Sequence, residues 1–199
     1  MDMYFKCVQL HKAREVFEQL QTHDVVAWRT LISGYAQNGL SDEAFYCFRR
    51  MKDDGLSPDA IIFICILKIC GSSGSLEIGE EVHAMVTKKK LLEKNLILGN
   101  AIVHMYAKCG LLSEALDVFE NLPIKDVVVW TSMIAGYCER GLVTEGWEIF
   151  QQMQLYGMNP DVITWNALIL GYARQEDIDE VLRCYAQLQE QGLLPASIT

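Results

Sequence analysis

The sequence lacks a long apolar run and any paired cysteine motif. Its longest apolar stretch, Ala60 to Leu67, is far too short to cross a lipid bilayer. The seven cysteines are odd in number and contain no Cys-x-x-Cys pair. We therefore expect reduced, structural thiols rather than disulfides or a metal site. These absences predict a chain with no membrane association and no metal centre.

Signatures of enzymes are missing as well. The chain has no Gly-rich loop of the kind that holds phosphates and no paired His ligands. A zinc-dependent deaminase would need His-x-Glu followed by Pro-Cys-x-x-Cys, and neither half is present. We predict that the chain is not an enzyme, with no catalytic residues, no cofactor and no small-molecule substrate.

Basic residues are scarce relative to acidic ones. The chain carries 17 Lys and Arg against 26 Asp and Glu, for a net charge of −9. An acidic balance weighs against a nucleic-acid partner, because phosphate binding favours basic surfaces. The positions of the charges therefore matter more than their total. A hydrophobic content of 51% with 22% charged residues argues for a folded chain.

What the sequence does contain is an internal repeat. An aromatic residue is followed by Gly-Tyr, a turn Gly, then Phe, Met, Gly and Pro. Two copies begin at Trp28 and Trp130, and a third, with Glu176 in place of the turn glycine, begins at Trp165. The last two copies are 35 residues apart. A step of this size predicts an array of stacked supersecondary units rather than one globular core.

Each unit has the pattern of two amphipathic helices. In residues 127–161, apolar residues recur at helical spacing, Gly141 interrupts them, and a second apolar stripe ends at Gly157. No segment alternates as a strand would. We predict an all-α fold, an α-solenoid superhelix of stacked helix-turn-helix repeats. The predicted units are 25–59, 60–95, 96–126, 127–161 and 162–196, with a partial unit at 1–24 and the start of another at 197–199.

The repeat resembles the pentatricopeptide repeat. A tetratricopeptide unit would place Leu-Gly and then Tyr after its first-helix Trp. This chain instead has Gly-Tyr six residues after the aromatic and closes units with Pro-Asp, as at Pro160-Asp161. The unit lengths of 35, 36, 31, 35 and 35 are similar to the plant PLS subclass, in which long and short units alternate with ordinary ones. The partial units at both ends predict a fragment of a longer array, or else a small array with incomplete end units.

The resemblance implies single-stranded RNA recognition at one base per repeat. In the family, the fifth and last residues of a unit read the base, and an apolar second residue packs against it. The implied reading pairs are Arg29 with Asp59, Ile64 with Asn95, Asn100 with Asp126, Thr131 with Asp161, and Asn166 with Ala196. The implied packing residues are Val26, Ile61, Ile97, Val128 and Ile163.

Family pairing rules imply a short target. They give uracil for the Asn100 unit, guanine for the Thr131 unit and a pyrimidine for the Asn166 unit, read 5′ to 3′ along the chain. Arg29 and Ile64 fall outside these rules. Arg29 is expected to bond to Asp59 and silence its unit, and Ile64 has no hydrogen-bonding group for a base.

The polar fifth residues support this interpretation on physical grounds. Asn and Thr are poor choices for burial on an otherwise apolar helix, and they suit a wet groove where an amide or hydroxyl meets a base edge. The alternative is that Asn100 and Asn166 cap helices, a role that Asn favours.

Basic residues recur at the thirteenth position, which shares a helical face with the fifth. Lys6, Lys108 and Arg174 occupy it and are the predicted phosphate contacts, whereas Glu139 counts against a basic stripe. The alternative is that these are ordinary solvated charges near a helix end. His104, at the ninth position, is expected on the same face.

The sequence thus predicts a sequence-specific single-stranded RNA-binding array. We expect it to be the targeting part of an organellar RNA-editing (C-to-U) or RNA-processing factor, with further editing or processing proteins as partners. The implied location is the mitochondrion or chloroplast of a plant, with the targeting segment absent from this chain. A helical scaffold for protein-protein interaction is the alternative, favoured by the acidic charge.

Overall fold

The computed structural model describes residues 10–193, which form eleven helices and no strand. The all-α prediction is confirmed for this part of the chain. None of these helices combines the length and the hydropathy that a bilayer span requires. The helices are α1 (Leu10–Glu18), α2 (Val25–Gln37), α3 (Ser41–Asp53), α4 (Ala60–Ser73), α5 (Leu76–Lys88), α6 (Leu96–Cys109), α7 (Leu112–Asn121), α8 (Val127–Glu139), α9 (Val143–Leu155), α10 (Val162–Arg174) and α11 (Ile178–Glu190).

Two compact units divide the chain after Ala101, within α6. In the first unit, α2 packs against α3 and also against α4. In the second unit, α8 packs against α9 and also against α10. In each unit, this first helix therefore contacts both the second helix of its own repeat and the first helix of the next repeat, as in stacked repeat proteins.

An aromatic contact recurs between successive repeats. The ring of Phe119, at the end of α7, meets Trp130 of α8 edge-on, with centroids 4.7 Å apart. Phe150 of α9 meets Trp165 of α10 at the same centroid distance. Both tryptophans are almost completely buried. Edge-to-face pairs contribute about 0.5–1.5 kcal/mol beyond the area they bury, so this contact fixes the spacing of consecutive repeats.

A polar residue caps each first helix. Asp24, Asp59, Asp126 and Asp161 each accept a hydrogen bond from the backbone N–H three residues later, at 2.8–3.0 Å. The Asn95 side chain makes the same bond to the Leu98 N–H at 3.1 Å. Such caps satisfy one of the N–H groups that a helix start leaves without a partner. The first helices therefore begin at residues 25, 60, 96, 127 and 162.

The turn inside each repeat requires a left-handed residue. Gly141 supplies it between α8 and α9, with φ of +79°. Glu176 occupies the same slot between α10 and α11 and adopts φ of +58°. A non-glycine residue in this region costs roughly 1–2 kcal/mol, so packing of the α10–α11 pair overrides the local preference of the chain.

The glycine of the Gly-Tyr motif marks a close approach of two first helices. A Cβ atom on Gly171 would lie 2.9 Å from the Cβ of Cys138 and 3.0 Å from the Cγ2 of Val143. A Cβ on Gly136 would lie 2.8 Å from the Cβ of Ala107. Real Cβ atoms do not approach backbone-proximal carbons this closely, so only glycine fits at these two positions.

We predict that Gly171→Ala destabilises the second unit. Alanine improves helix propensity by about 1 kcal/mol, but the added methyl overpacks the α8–α10 contact at a cost of about 1–3 kcal/mol. The midpoint of urea unfolding, followed by far-UV circular dichroism, should fall. Ala173→Gly, at an exposed position of the same helix, should lower the urea midpoint only through its loss of helix propensity. A Gly171→Ala protein more stable than wild type would contradict the close approach.

Candidate nucleic-acid interface

A cleft of about 440 Å³ opens in the second unit. Its walls are α8 and α10, and two residues of α6 close one side. These helices contribute the second, fifth, sixth, ninth and thirteenth positions of their repeats, which fall on one helical face. The lining includes His104, Lys108, Val128, Thr131, Ser132, Ala135, Cys138, Glu139, Asp161, Ile163, Asn166, Ala167, Leu170, Gly171 and Arg174.

All five predicted packing residues are exposed aliphatic side chains. Their exposed fractions lie between 50% and 67%, although they sit at the starts of otherwise well-packed helices. Val128 and Ile163 stand at the cleft in the second unit. A branched apolar residue left in solvent at the same position of every repeat suits a flat apolar face that packs against it. The five residues are Val26, Ile61, Ile97, Val128 and Ile163.

The polar side chains of the Thr131 repeat are joined through a third residue. Thr131 Oγ1 lies 2.6 Å from Thr164 Oγ1, and Thr164 Oγ1 lies 2.8 Å from Asp161 Oδ1. Asp161 Oδ1 also accepts the Thr164 backbone N–H at 2.8 Å, which completes a capping box at the start of α10. Asn166 is half-buried on the opposite wall. The fifth and last residues of this repeat are thus held together by hydrogen bonds.

The charges at the cleft are largely paired with one another. Lys108 Nζ donates to Glu139 Oε1. Arg174 Nη1 donates to the Glu139 backbone carbonyl at 3.4 Å, and Arg140 Nη2 donates to the Lys108 carbonyl at 3.3 Å. Cations near helix C-termini are stabilised by the exposed carbonyls there. The predicted phosphate contact Lys108 therefore faces a carboxylate at the next repeat.

The inner side of the cleft is apolar and neutral. Burial raises the pKa of the Cys138 thiol to about 12, so the thiol stays protonated at neutral pH. Its side chain packs where α10 approaches α8. Among residues 10–193, no three His, Cys, Asp or Glu side chains come close enough to hold a metal ion. The cleft can therefore offer a ligand apolar contacts and hydrogen bonds.

The predicted reading positions of the first unit carry side chains of a different kind. Arg29 Nη1 donates to Asp59 Oδ2 at 3.2 Å, so the expected bond between these two residues is confirmed. Both side chains are about one-third exposed. Ile64 is half-buried in α4, and Asn95 caps the start of α6. These pairs present a neutralised ion pair and an aliphatic group rather than free polar groups.

Two sequence expectations need correction. Asn100 and Thr131 are buried, with 7% and 8% of their surfaces exposed, whereas the sequence suggested wet positions. Burial is possible for Thr131 because Thr164 satisfies its hydroxyl.

The capping alternative for Asn100 and Asn166 is wrong, since both residues lie inside helices. The last residues of the units cap the helices instead. Lys6 and Ala196 lie outside the described residues.

Sequence reasoning missed one residue and one contact. Thr164 received no role, although a hydroxyl at the third position of a repeat is a visible departure from the apolar residues found there in the other four repeats. The Lys108–Glu139 pair was also missed. Both residues occupy the thirteenth position of consecutive repeats, and that shared position was the available signal.

Comparison with known sequences identifies the class and then the family. The fold and the cleft define a helical-repeat array. Residues 23–71 and 125–164 match the PPR repeat family, residues 148–199 match the pentatricopeptide repeat domain, and residues 100–127 match the PPR repeat. The chain belongs to the pentatricopeptide repeat family.

Relatives from Arabidopsis thaliana are much longer than this chain. Pentatricopeptide repeat-containing protein At3g09040, mitochondrial, is 42% identical over 132 residues, which are 66% of this chain and 13% of that protein. Pentatricopeptide repeat-containing protein At4g18520, chloroplastic, is 39% identical over 132 residues, which are 66% of this chain and 21% of that protein. The chain therefore spans a minor part of the relatives' length.

A solved structure supports the solenoid class. The maize pentatricopeptide repeat protein PPR10, crystallised in complex with an 18-nt psaJ RNA element, superposes with a TM-score of 0.87 at 27% identity. The match covers 98% of this chain and 29% of PPR10. The predicted α-solenoid fold is confirmed.

We predict that Asp161→Ala lowers stability as well as changing the cleft. Loss of a helix cap costs about 1 kcal/mol, so the urea midpoint should fall. Asp161→Asn keeps an acceptor oxygen at the cap and should unfold close to wild type. Asp53→Ala, which removes an exposed carboxylate at the end of α3, is the matched control and should change little. Equal stability of the Asp161→Ala and wild-type proteins would contradict the capping role.

Proposed function

We propose that this chain binds single-stranded RNA in a sequence-dependent way, with one base at each repeat. The observation that carries the proposal is the recurrence of an exposed aliphatic residue at the second position of all five repeats. Nucleobases present flat apolar faces that such side chains can cover. The similarity to PPR10, which was crystallised with RNA, supports the same kind of ligand for this array.

Polar groups beside these aliphatic residues would discriminate between bases. Val128 and Ile163 flank the cleft that contains Thr131, Asp161 and Asn166. Hydrogen bonds from such side chains to a base edge distinguish bases that stack equally well. We propose the order uracil, guanine, pyrimidine, read by the last three repeats from the 5′ end.

The repeats of the first unit would contribute packing more than reading. Arg29 and Asp59 satisfy each other, and Ile64 has no polar group for a base edge. Their exposed residues Val26 and Ile61 remain available to stack on bases. We therefore propose that residues 25–95 stabilise the complex with little base preference.

The whole protein would direct an organellar RNA-editing or RNA-processing event. The unit lengths of 35, 36, 31, 35 and 35 support the PLS subclass. The names of the two Arabidopsis relatives place them in mitochondria and chloroplasts, which supports an organellar location for this protein. In this proposal the chain supplies RNA recognition and performs no chemistry itself, and it acts with other editing or processing proteins.

A protein-binding scaffold is the second candidate. The net charge of −9 and the neutralisation of Lys108 by Glu139 favour it, because both reduce attraction to phosphates. Neither observation accounts for five exposed aliphatic residues at one repeat position. The RNA proposal accounts for both the aliphatic residues and the polar groups beside them.

We predict that the chain prefers RNA containing U-G-U. Fluorescence anisotropy at low salt with labelled single-stranded RNA should show tighter binding to U-G-U than to the same RNA with A-C in place of U-G, by about tenfold or more. The matching DNA serves as the backbone control. Equal affinity for the two RNAs would contradict base reading, and no binding to any of them would favour a protein partner.

We also predict that Glu139→Gln strengthens RNA binding. The change releases Lys108 for a phosphate, so the slope of log affinity against log salt should steepen by about 0.7. Glu148→Gln makes the same charge change on the exposed face of α9, away from the cleft. A Glu148→Gln protein that matches Glu139→Gln would show that only total charge matters, and an unchanged slope for Glu139→Gln would rule out a phosphate near Lys108.

A further inference from the structure

Thr164 sits between the two polar groups of the Thr131 repeat. Its side chain is completely buried at the third position of α10. Its hydroxyl lies 2.6 Å from the hydroxyl of Thr131 and 2.8 Å from Asp161 Oδ1. The Asp161 backbone N–H also donates to it at 3.4 Å. Every hydrogen bond of this hydroxyl is therefore made to a group of the preceding repeat.

The proton positions in this chain of contacts follow from the chemistry of the groups. An ionised carboxylate only accepts hydrogen bonds, so Thr164 must donate its single hydroxyl hydrogen to Asp161 Oδ1. Thr164 then has only lone pairs to offer to Thr131. Thr131 must consequently donate its own hydrogen to Thr164, which leaves lone pairs alone on the Thr131 oxygen.

At Thr131 and Asp161, the lone pairs available to a ligand are therefore all acceptors. Thr131 Oγ1 offers lone pairs, and Asp161 Oδ2 accepts no hydrogen bond from any residue between 10 and 193. Guanine has two adjacent donors on its Watson-Crick edge, N1–H and the N2 amino group. Adenine, cytosine and uracil each have one donor group there. An all-acceptor pair matches guanine alone.

We propose that Thr164 is a positioning residue that sets base preference by fixing the hydrogen-bond polarity of Thr131. Without Thr164, the Thr131 hydroxyl can rotate and donate to N1 of adenine, while Asp161 accepts from the N6 amino group. This inference rests on the proposed RNA binding and adds a specificity determinant that does not itself touch the base.

Among the five complete repeats, only the one at 162–196 has a hydroxyl at its third position. The third residues of the other four repeats are Ala27, Ile62, Leu98 and Val129, and none has a hydroxyl. All four are buried, so the position belongs to the core and a polar residue there needs partners. Thr164 has them only because Thr131 and Asp161 stand on either side.

The test compares the affinities of Thr164→Val for two RNAs. These RNAs differ only at the base assigned to the Thr131 repeat, called the read base, which is G in one and A in the other. Valine keeps the buried shape and removes the hydroxyl. Wild type should prefer G over A by about 5- to 150-fold, the range for a well-matched bidentate contact. Thr164→Val should reduce that preference to about threefold or less. Thr164→Ser, which retains the hydroxyl, should keep the preference close to that of wild type.

Two controls separate positioning from a general structural effect. An RNA with an abasic site at the read base should bind wild type and Thr164→Val equally. In a Thr131→Val background, adding Thr164→Val should change the G-to-A ratio by less than about twofold, because the hydroxyl it orients is gone. Circular dichroism and the urea midpoint establish that each variant is folded.

The outcomes distinguish this inference from the proposed function. A Thr164→Val protein that binds RNA with the wild-type preference for G overturns the role of Thr164 and leaves RNA binding intact. Loss of affinity for the abasic RNA to the same extent as for the G RNA also overturns it, in favour of a structural role. A wild-type protein that binds no RNA overturns the proposed function, and this inference with it.

Discussion

The helix cap at the junction of two repeats is the constraint on which the rest of the structure depends. The last residue of one repeat accepts a hydrogen bond from the third N–H of the next first helix, as Asp161 does from Thr164. This bond fixes the residue at which the helix begins. Once the start is fixed, the second, fifth and thirteenth positions fall on one face. These positions line the cleft between α8 and α10, and the buried Phe150–Trp165 contact joins α9 to α10 in the same unit.

In the proposed complex with RNA, the same junction residue serves both folding and recognition. Asp161 uses one carboxylate oxygen for the cap and the Thr164 hydroxyl, and the proposal assigns the other oxygen to the ligand. Asp59 uses its second oxygen for Arg29 instead. We therefore propose that a reading repeat differs from a silent one in the partner of a single carboxylate oxygen, while the backbone N–H of the helix start bonds to the cap in both.

Much of the fold could be predicted from the sequence, because its causes are local and recur at a fixed step. Gly141, Gly157 and the Pro-Asp junction mark where helices stop and start, and all five first helices begin where the predicted units begin. The family and the all-α solenoid were predicted from the same recurrence. The exposed second residues follow from the cap, since a side chain at the second position of a capped helix points away from the core.

The contacts between repeats could not be predicted in the same way. Thr131 is buried only because a hydroxyl 33 residues later meets it at 2.6 Å. The sequence shows that Thr164 is polar where the third residues of the other four repeats are apolar, but it does not identify Thr131 as its partner. Lys108 and Glu139 were considered as separate charges, although their shared position in consecutive repeats brings them together. Side-chain pairing across a repeat step depends on helix spacing, which the aromatic core sets and a single repeat does not reveal.

The most direct measurement is an intermolecular nuclear Overhauser experiment on the complex with U-G-U RNA. Methyl groups of valine, leucine and isoleucine would be labelled, and contacts to the guanine H8 proton recorded. The account predicts contacts from H8 to the methyl groups of Val128 and Ile163, which flank the cleft. Contacts from H8 to Leu155, which is exposed at the end of α9 and away from the cleft, with none to Val128 or Ile163, would contradict it.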